Sequence, residues 1–348
     1  MRCFLSKVWA KQSDIVREAG VSLATVDRVL NGRSGVNVQT AKKVWEAIDR
    51  LQGQDIRTQK TGQKPLKLDV ILPDGTGSFL NMLAERIEVL GETLKRDGIT
   101  VRSHRVASFA PQKLAEKLRE IGATDTDGIA VMPLEDPFVR EAVNSLCDQG
   151  IPIVTLVSSL STQRTIGHVG PNNRAAGRTA AHLVALNLQG KTGTVGLFKG
   201  SHSLIYSDHQ ERELGFVSAL HEYAPNLKVS SHWEIQNDHE EAYKHTCELI
   251  ANDKDVLAIY SVGSGLRGIG QALIDSKKQH DIVCVGHDLT DYSRELLLNG
   301  TVNAVIDQDV NQEAANALQL LILQHRGGEN TRAPVDIKTD IYLRDNLP

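Results

Sequence analysis

Near the amino terminus, apolar positions fall three and four residues apart, the spacing of helices that bury one face. Ile15, Val16 and Ala19 share a face of a short helix predicted over residues 14–19. Gly20 can take the positive φ that ends a helix abruptly, and Val21 fills the corner. Ser22 stands as the N-cap of a second helix carrying Thr25, Val26, Val29 and Leu30, stopped by Asn31-Gly32. Asn37 reads as the cap of a third, with Val38, Ala41, Val44, Trp45, Ile48 and Leu51 at helical spacing. Two helices joined by a tight glycine turn and braced by a third have the form of a helix-turn-helix.

The pattern then changes. Residues 52–65 are polar, with two glycines and a proline, and read as a linker. From Leu66 onward, short continuous apolar runs alternate with helical periodicity. Strands are predicted over 67–72, 100–106, 128–132, 153–157, 194–198, 228–234, 256–261, 282–286 and 302–306. Helices are predicted over 81–96, 111–121, 174–188, 211–222, 240–251, 266–275 and 312–324. Strands that are apolar throughout, alternating with helices, imply parallel sheets covered on both faces. This α/β stretch is longer than one compact sheet usually carries, so two lobes are expected.

Charge divides along the same line. Residues 1–64 carry 12 Lys/Arg against 6 Asp/Glu, and the remainder 27 against 37. A basic head on an acidic body suits a head that meets nucleic-acid phosphates. Cys3, Cys147, Cys247 and Cys284 lie far apart with no C-x-x-C pair, which suits packed thiols in a reducing compartment. No apolar run approaches the ~18 residues of a membrane span. The leading MRCFLSKVWAKQ lacks the apolar segment of a secretory signal. A cytoplasmic location without membrane association is expected.

The run AGVSLATVDRVLNGR, followed by VNVQTAKKVWEAIDRL, resembles the DNA-reading headpiece of the lactose-repressor (LacI/GalR) family. Downstream, VILPDGTGSF, IPIVTLVSS, HVGPNNRAAGRTAA, HQERELGFVSAL, CVGHD and VIDQD are similar to the core those regulators share with periplasmic sugar-binding proteins. The resemblance implies a small all-α helix-turn-helix headpiece plus a two-lobed α/β, periplasmic-binding-protein-like (type I) core with parallel sheets. It places the headpiece at 1–51 and a linker at 52–65. One lobe is expected from 66–190 with 306–332, the other from 191–305 with 333–348. Crossings between them fall near Gly190-Lys191, Val305 and Arg332–Pro334. The linker departs from the family: it has no leucine, and Gly62 stands where a leucine wedge for the minor groove is usual.

Spacing and resemblance together put Leu23, Ala24 and Arg28 in the major groove. Arg can bind guanine O6 and N7 there, while Leu and Ala can meet a thymine methyl. Ser22, Thr25, Asn31 and Arg33 are expected on phosphates, fixing register without reading sequence. In parallel sheets ligands gather at the carboxyl ends of strands, and here those ends carry Asp74, Glu135, Asp136, Ser158, Gly263, Asp288 and Gln308. The resemblance implies that Arg212 donates to sugar hydroxyls and Asp288 accepts from them. It implies also that Gln308 closes over the ligand from a hinge and that Asn172 stands at the cleft edge. Phe79 offers a ring to the apolar face of a sugar.

The function expected is transcription regulation, as a repressor, by a homodimer on double-stranded operator DNA. A sugar, polyol or sugar-phosphate effector would set operator affinity. Three other classes compete, one of them a regulator that answers to a partner protein and leaves its cleft empty. A sugar-binding or sensory module without a DNA role would not need the headpiece. A dinucleotide-dependent enzyme would use Gly263–Gly268, which spells G-x-G-x-x-G between a strand and a helix. His232, His239, His245 and Cys247 lack the i, i+4 spacing of a helical zinc pair. No nucleophile–base–acid set stands at recognisable spacing, so no catalysis, cofactor or metal is expected.

Overall fold

A computed structural model describes residues 12–30, 40, 43–44, 47, 64–74, 78–201, 204, 206–326 and 335–348. The chain divides into two compact units, Met1–Pro65 and Leu66–Pro348.

In the first unit, α1 (Gln12–Ala19) and α2 (Leu23–Leu30) meet at Gly20, whose φ of 64° is the left-handed turn a side chain would resist. The Gly20 and Val21 N–H groups both donate to the Val16 carbonyl, closing α1. Ser22 Oγ accepts from the Thr25 N–H at 3.2 Å and so caps α2. Ile15, Val26 and Val44 form a small core, with Val16, Ala19 and Val21 packed on it. Of the apolar face expected for the third helix, Val38, Ala41, Trp45, Ile48 and Leu51 lie outside the described residues, as do Asn31, Arg33 and Gly62.

The second unit holds two six-stranded sheets. The first contains β1 (Leu66–Asp74), β2 (Ile99–Ala107), β3 (Gly128–Val131), β4 (Ile153–Leu156), β5 (Gly167–Pro171) and β11 (Val335–Ile337). Its order is β11-β5-β4-β3-β1-β2, parallel throughout. The second contains β6 (Gly193–Lys199), β7 (Leu227–Glu234), β8 (Val256–Ser261), β9 (Val283–His287), β10 (Ala304–Gln308) and β12 (Thr339–Tyr342). Its order is β12-β10-β9-β8-β6-β7, with only β12 antiparallel. The first five strands of each lobe share one winding, and only the edge strands β11 and β12 differ in direction.

Each sheet is buried on both faces, which explains its uninterrupted apolar strands. On the first sheet, α3 (Ser78–Leu94) and α11 (Val310–Arg326) cover one side through Leu83, Ile87, Ala317 and Leu321. There, α4 (Pro111–Gly122) and α5 (Pro137–Asp148) cover the other through Leu118, Ile121, Val139 and Val143. On the second sheet, α6 (Asn173–Asn187) and α7 (Ser207–Tyr223) bring Ala180, Val184, Phe216 and Leu220. The opposite side takes α8 (His239–Asn252), α9 (Leu266–Asp275) and α10 (Asp291–Leu298), with Leu249, Ile269, Leu273 and Leu297. Each fully buried Leu, Ile, Val or Phe among these contributes about 1.5–3 kcal/mol.

The expected lobe boundaries need correction. Helix α6 packs on the second sheet, because Ala176, Ala180, Ala181 and Val184 share one core with Val195 and Leu197. The first crossing is therefore at Pro171–Asn173, not near Gly190-Lys191. Val305 lies inside β10, and the chain returns to the first lobe between Gln308 and Val310. The last crossing falls at Lys338, between β11 in the first sheet and β12 in the second, later than Arg332–Pro334. Among the described residues no helix is long and apolar enough to cross a membrane.

Candidate effector cleft and headpiece surface

Strands of both lobes end at a common cleft of about 240 Å³, a volume that admits a small molecule and not a polymer. Its floor is built from α7. Asp208 in the first turn and Arg212 four residues later share one face of that helix and both line the cleft. Arg212 is only 2% exposed. Its Nε donates to Asn173 Oδ1 at 2.7 Å, its Nη1 to the Val262 carbonyl at 3.1 Å, and its Nη2 to Gln308 Oε1 at 3.4 Å. Gln308 Nε2 in turn donates to Asp288 Oδ1 at 2.9 Å. This chain of hydrogen bonds fixes both the guanidinium and the carboxylate, leaving Asp288 Oδ2 and unused Arg212 N–H groups for a ligand.

Two glycines make that placement possible. A Cβ on Gly177 would overlap the Arg212 carbonyl, and one on Gly215 would overlap the Arg174 carbonyl. Without them α6 and α7 could not approach closely enough to bring Asn173 to the guanidinium.

The floor is short of positive charge. Asp208 is 3% exposed and its Oδ1 has no hydrogen-bond partner. Glu313, on the first turn of α11, is wholly buried with both oxygens unpartnered. Burial, with the Asp288 charge adding to it, raises the Glu313 carboxyl well above the usual range, favouring its neutral form. Burial likewise raises Asp288 to about 7, against the pull of Arg212. Burial keeps His209 and His287 below the ordinary histidine value, and neutral His287 Nε2 pairs with Tyr260 OH at 2.9 Å.

At the mouth, Ser264 Oγ donates to Asn237 Oδ1 at 2.7 Å, and the Arg267 guanidinium lies 4.4 Å from the Tyr292 ring centre. Across the hinge, Ser207 ties the lobes. Its N–H donates to Ser158 Oγ at 2.9 Å, and its Oγ accepts from the Ser159 N–H at 2.7 Å. Tyr206 joins the first lobe's core, edge-on to Phe109 at 5.4 Å.

Residues 13–52 match the family described as bacterial regulatory proteins, lacI family. Residues 68–329 match the periplasmic binding protein domain. The chain joins a lacI-family regulatory domain to a periplasmic binding protein domain. It is 25% identical over 330 residues to catabolite control protein A of Priestia megaterium, covering 94% of this chain and 85% of that one. It is 30% identical over 177 residues to the HTH-type transcriptional regulator MalR of Streptomyces coelicolor, spanning half of each chain. The fold is shared with GanP, a glucose-galactose binding protein from Geobacillus stearothermophilus, at a TM-score of 0.74 and 19% identity, covering 82% of this chain and all of that one.

In this chain, five of the ten expected effector residues line the cleft: Phe79, Arg212, Gly263, Asp288 and Gln308. The other five are occupied elsewhere. Glu135 pairs with Arg140 and accepts from the Ser161 N–H. Asp136 caps α5 and Asn172 caps α6, each through its side-chain oxygen. Ser158 belongs to the Ser207 tie, and Asp74 is exposed beyond Pro73, which takes the lining position. Sequence reading missed Asn173, Asp208, His209, Asn237 and Glu313. Of the histidines set aside as zinc ligands, His239 also lines the cleft, whereas His232 pairs with Glu213 and His245 with Glu248. The G-x-G-x-x-G run forms the cleft wall and packs helices. A Cβ on Gly263 would strike the His209 ring and one on Gly268 the His239 carbonyl.

On the headpiece, Leu23 at the start of α2 is 55% exposed, and Ser22 and Ala24 are exposed beside it. Val26 on the same helix is buried, so Leu23 and Ala24 stand on a face turned away from the small core. Arg28 falls within α2, but its side chain, like Asn31 and Arg33, lies outside the described residues.

Proposed function

We propose that this protein is a sequence-specific transcription regulator whose hold on operator DNA is set by a small carbohydrate-like molecule in the cleft. The observation that carries the reading is the union, in one chain, of an exposed Leu23–Ala24 helix start with a cleft whose Arg212–Gln308–Asp288 chain presents fixed donors and acceptors. Leu23, Ala24 and Arg28 read base edges, while Ser22, Thr25, Asn31 and Arg33 hold phosphates at and after the helix N-terminus. The protein acts as a homodimer, since two headpieces related by a two-fold match a near-palindromic site.

In the cleft, Arg212 donates to ligand hydroxyls and Asp288 accepts from them. Asp208, Asn237 and Ser264 add polar contacts, and Phe79 covers an apolar ligand face. A ligand that touches both lobes stabilises their closed arrangement. It changes operator affinity only to the extent that it prefers one arrangement. We assign the sign as repression relieved by effector. Selection from random duplex DNA with the full chain tests the DNA half: the reading predicts enrichment of one two-fold-symmetric site, and enrichment of no sequence contradicts it.

A further inference from the structure

The shared winding of the two lobes allows their strand ends to be compared position by position. Strand β4 in the first sheet occupies the place of β9 in the second, and β5 that of β10. Val157 directly follows β4, and Asp288 directly follows β9. Both hold left-handed backbone, at φ 63° and φ 68°. Both donate their N–H to the third residue of the neighbouring strand, Val157 to the Val169 carbonyl at 2.8 Å and Asp288 to the Ile306 carbonyl at 3.0 Å. Both line the cleft. One lobe thus offers a carboxylate at this point and the other a buried valine, a β-branched residue that seldom adopts positive φ.

The asymmetry extends along each wall. The first lobe faces the cleft with Pro73, Phe79, Leu80, Met132 and Val157, and Tyr206, packed into that lobe's core, adds its ring. The second faces it with Asp208, Arg212, Asn237, Ser264, Asp288 and Gln308, among others. The orphaned Asp208 Oδ1 requires a donor from whatever fills the space. A fully hydroxylated ligand would satisfy the second wall and strand its remaining hydroxyls against carbon on the first.

We propose that the effector is a carbohydrate-like molecule with two unlike faces, presenting hydroxyls to the second lobe and a carbon substituent, such as a deoxy methyl or an alkyl aglycone, to the Val157 wall. This rests on the carbohydrate reading above and narrows it. Val157 is then the residue that selects the substituent.

The test uses matched pairs, titrated calorimetrically against the full-length protein: L-fucose with L-galactose, L-rhamnose with L-mannose, D-fucose with D-galactose, and methyl β-D-galactopyranoside with D-galactose. In at least one pair the carbon-substituted member should bind about tenfold or more tightly than its parent, the scale of one group in an apolar pocket. Val157→Asn, which the left-handed backbone accepts well, should bring that ratio toward one. Parents that bind as well as or better than their partners would overturn the two-faced effector while leaving the carbohydrate reading standing. Binding by no member would overturn both. The wild-type comparison stands without the variant should Val157→Asn fold poorly.

Discussion

Replacing Asp288 by Asn changes one oxygen for nitrogen, keeps a residue suited to φ 68°, and retains an oxygen for Gln308 Nε2. What it removes is a charge that burial resists. The carboxyl is raised from 3.8 to about 7. At 1.36 kcal/mol per pKa unit, ionising it in the folded chain costs up to about 4 kcal/mol. Because the folded-state value is the raised one, this group's contribution to stability is whole below about pH 4 and is lost as the pH rises through about 7. Asp288→Asn carries no such slope. The two proteins should melt alike at pH 4, diverge as pH rises, and keep a constant gap above pH 7, with the variant higher. At about 2–4 °C per kcal/mol for a domain of this class, the gap reaches about 8–16 °C. Effector binding should move the opposite way. Loss of a charged acceptor costs about 1.5–3 kcal/mol, or roughly 10- to 150-fold in Kd. Calorimetric melts from pH 4 to 9, with effector titrations at pH 8, read both. A variant that follows the wild-type pH profile would refute the burial argument, and an unchanged effector Kd would remove Asp288 from the site.

Arg212→Ala should destabilise the core by about 3–5 kcal/mol, because it strands the buried Asn173, Val262 and Gln308 oxygens it serves and removes the cation that favours ionised Asp288; an unmoved urea midpoint would contradict this. Gly177→Ala should force α6 from α7, costing about 1–3 kcal/mol and weakening effector binding as Arg212 shifts, whereas wild-type stability with wild-type affinity would show that the close approach is not needed. Arg28→Ala should cost about 1–3 kcal/mol of specific operator binding and relax one base position, and an unaltered operator preference would deny it a reading role. Arg33→Ala should weaken binding to all sequences and lower the salt slope by about one, a result that an unchanged slope would exclude.

Periodicity made the main elements legible because sheets covered on both faces leave continuous apolar strands. Where that signal was diluted, elements were missed. Strand β5 reads GHVGP, with two glycines and a terminal proline, and β11 and β12 are three and four residues long. Helix α5 follows an Asp136 cap and Pro137 at its first turn, and α10 follows a Thr290–Ser293 capping box. Both carried helix-start signals that were passed over.

The cleft was half legible for a related reason. Strand ends place Gly263, Asp288 and Gln308, but polar residues at other strand ends serve local needs: Asp136 and Asn172 satisfy helix N–H groups, and Glu135 meets Arg140. Asp208 could have been found as the carboxylate one helical turn before Arg212. Glu313 could have been found as an acid on the core-facing stripe of α11, between Val310 and Ala317. The lobe assignment of α6 depended on which sheet its alanine face meets, a tertiary fact that one helix cannot announce.

The central claim is that cleft and headpiece share one free energy. Its most direct measurement is operator affinity of the full-length protein, titrated with and without the bound sugar, together with sugar affinity with and without operator. The account predicts that the sugar weakens operator binding and that operator weakens sugar binding by the same factor, about 5–150-fold. Operator affinity indifferent to a sugar that demonstrably fills the cleft would contradict it.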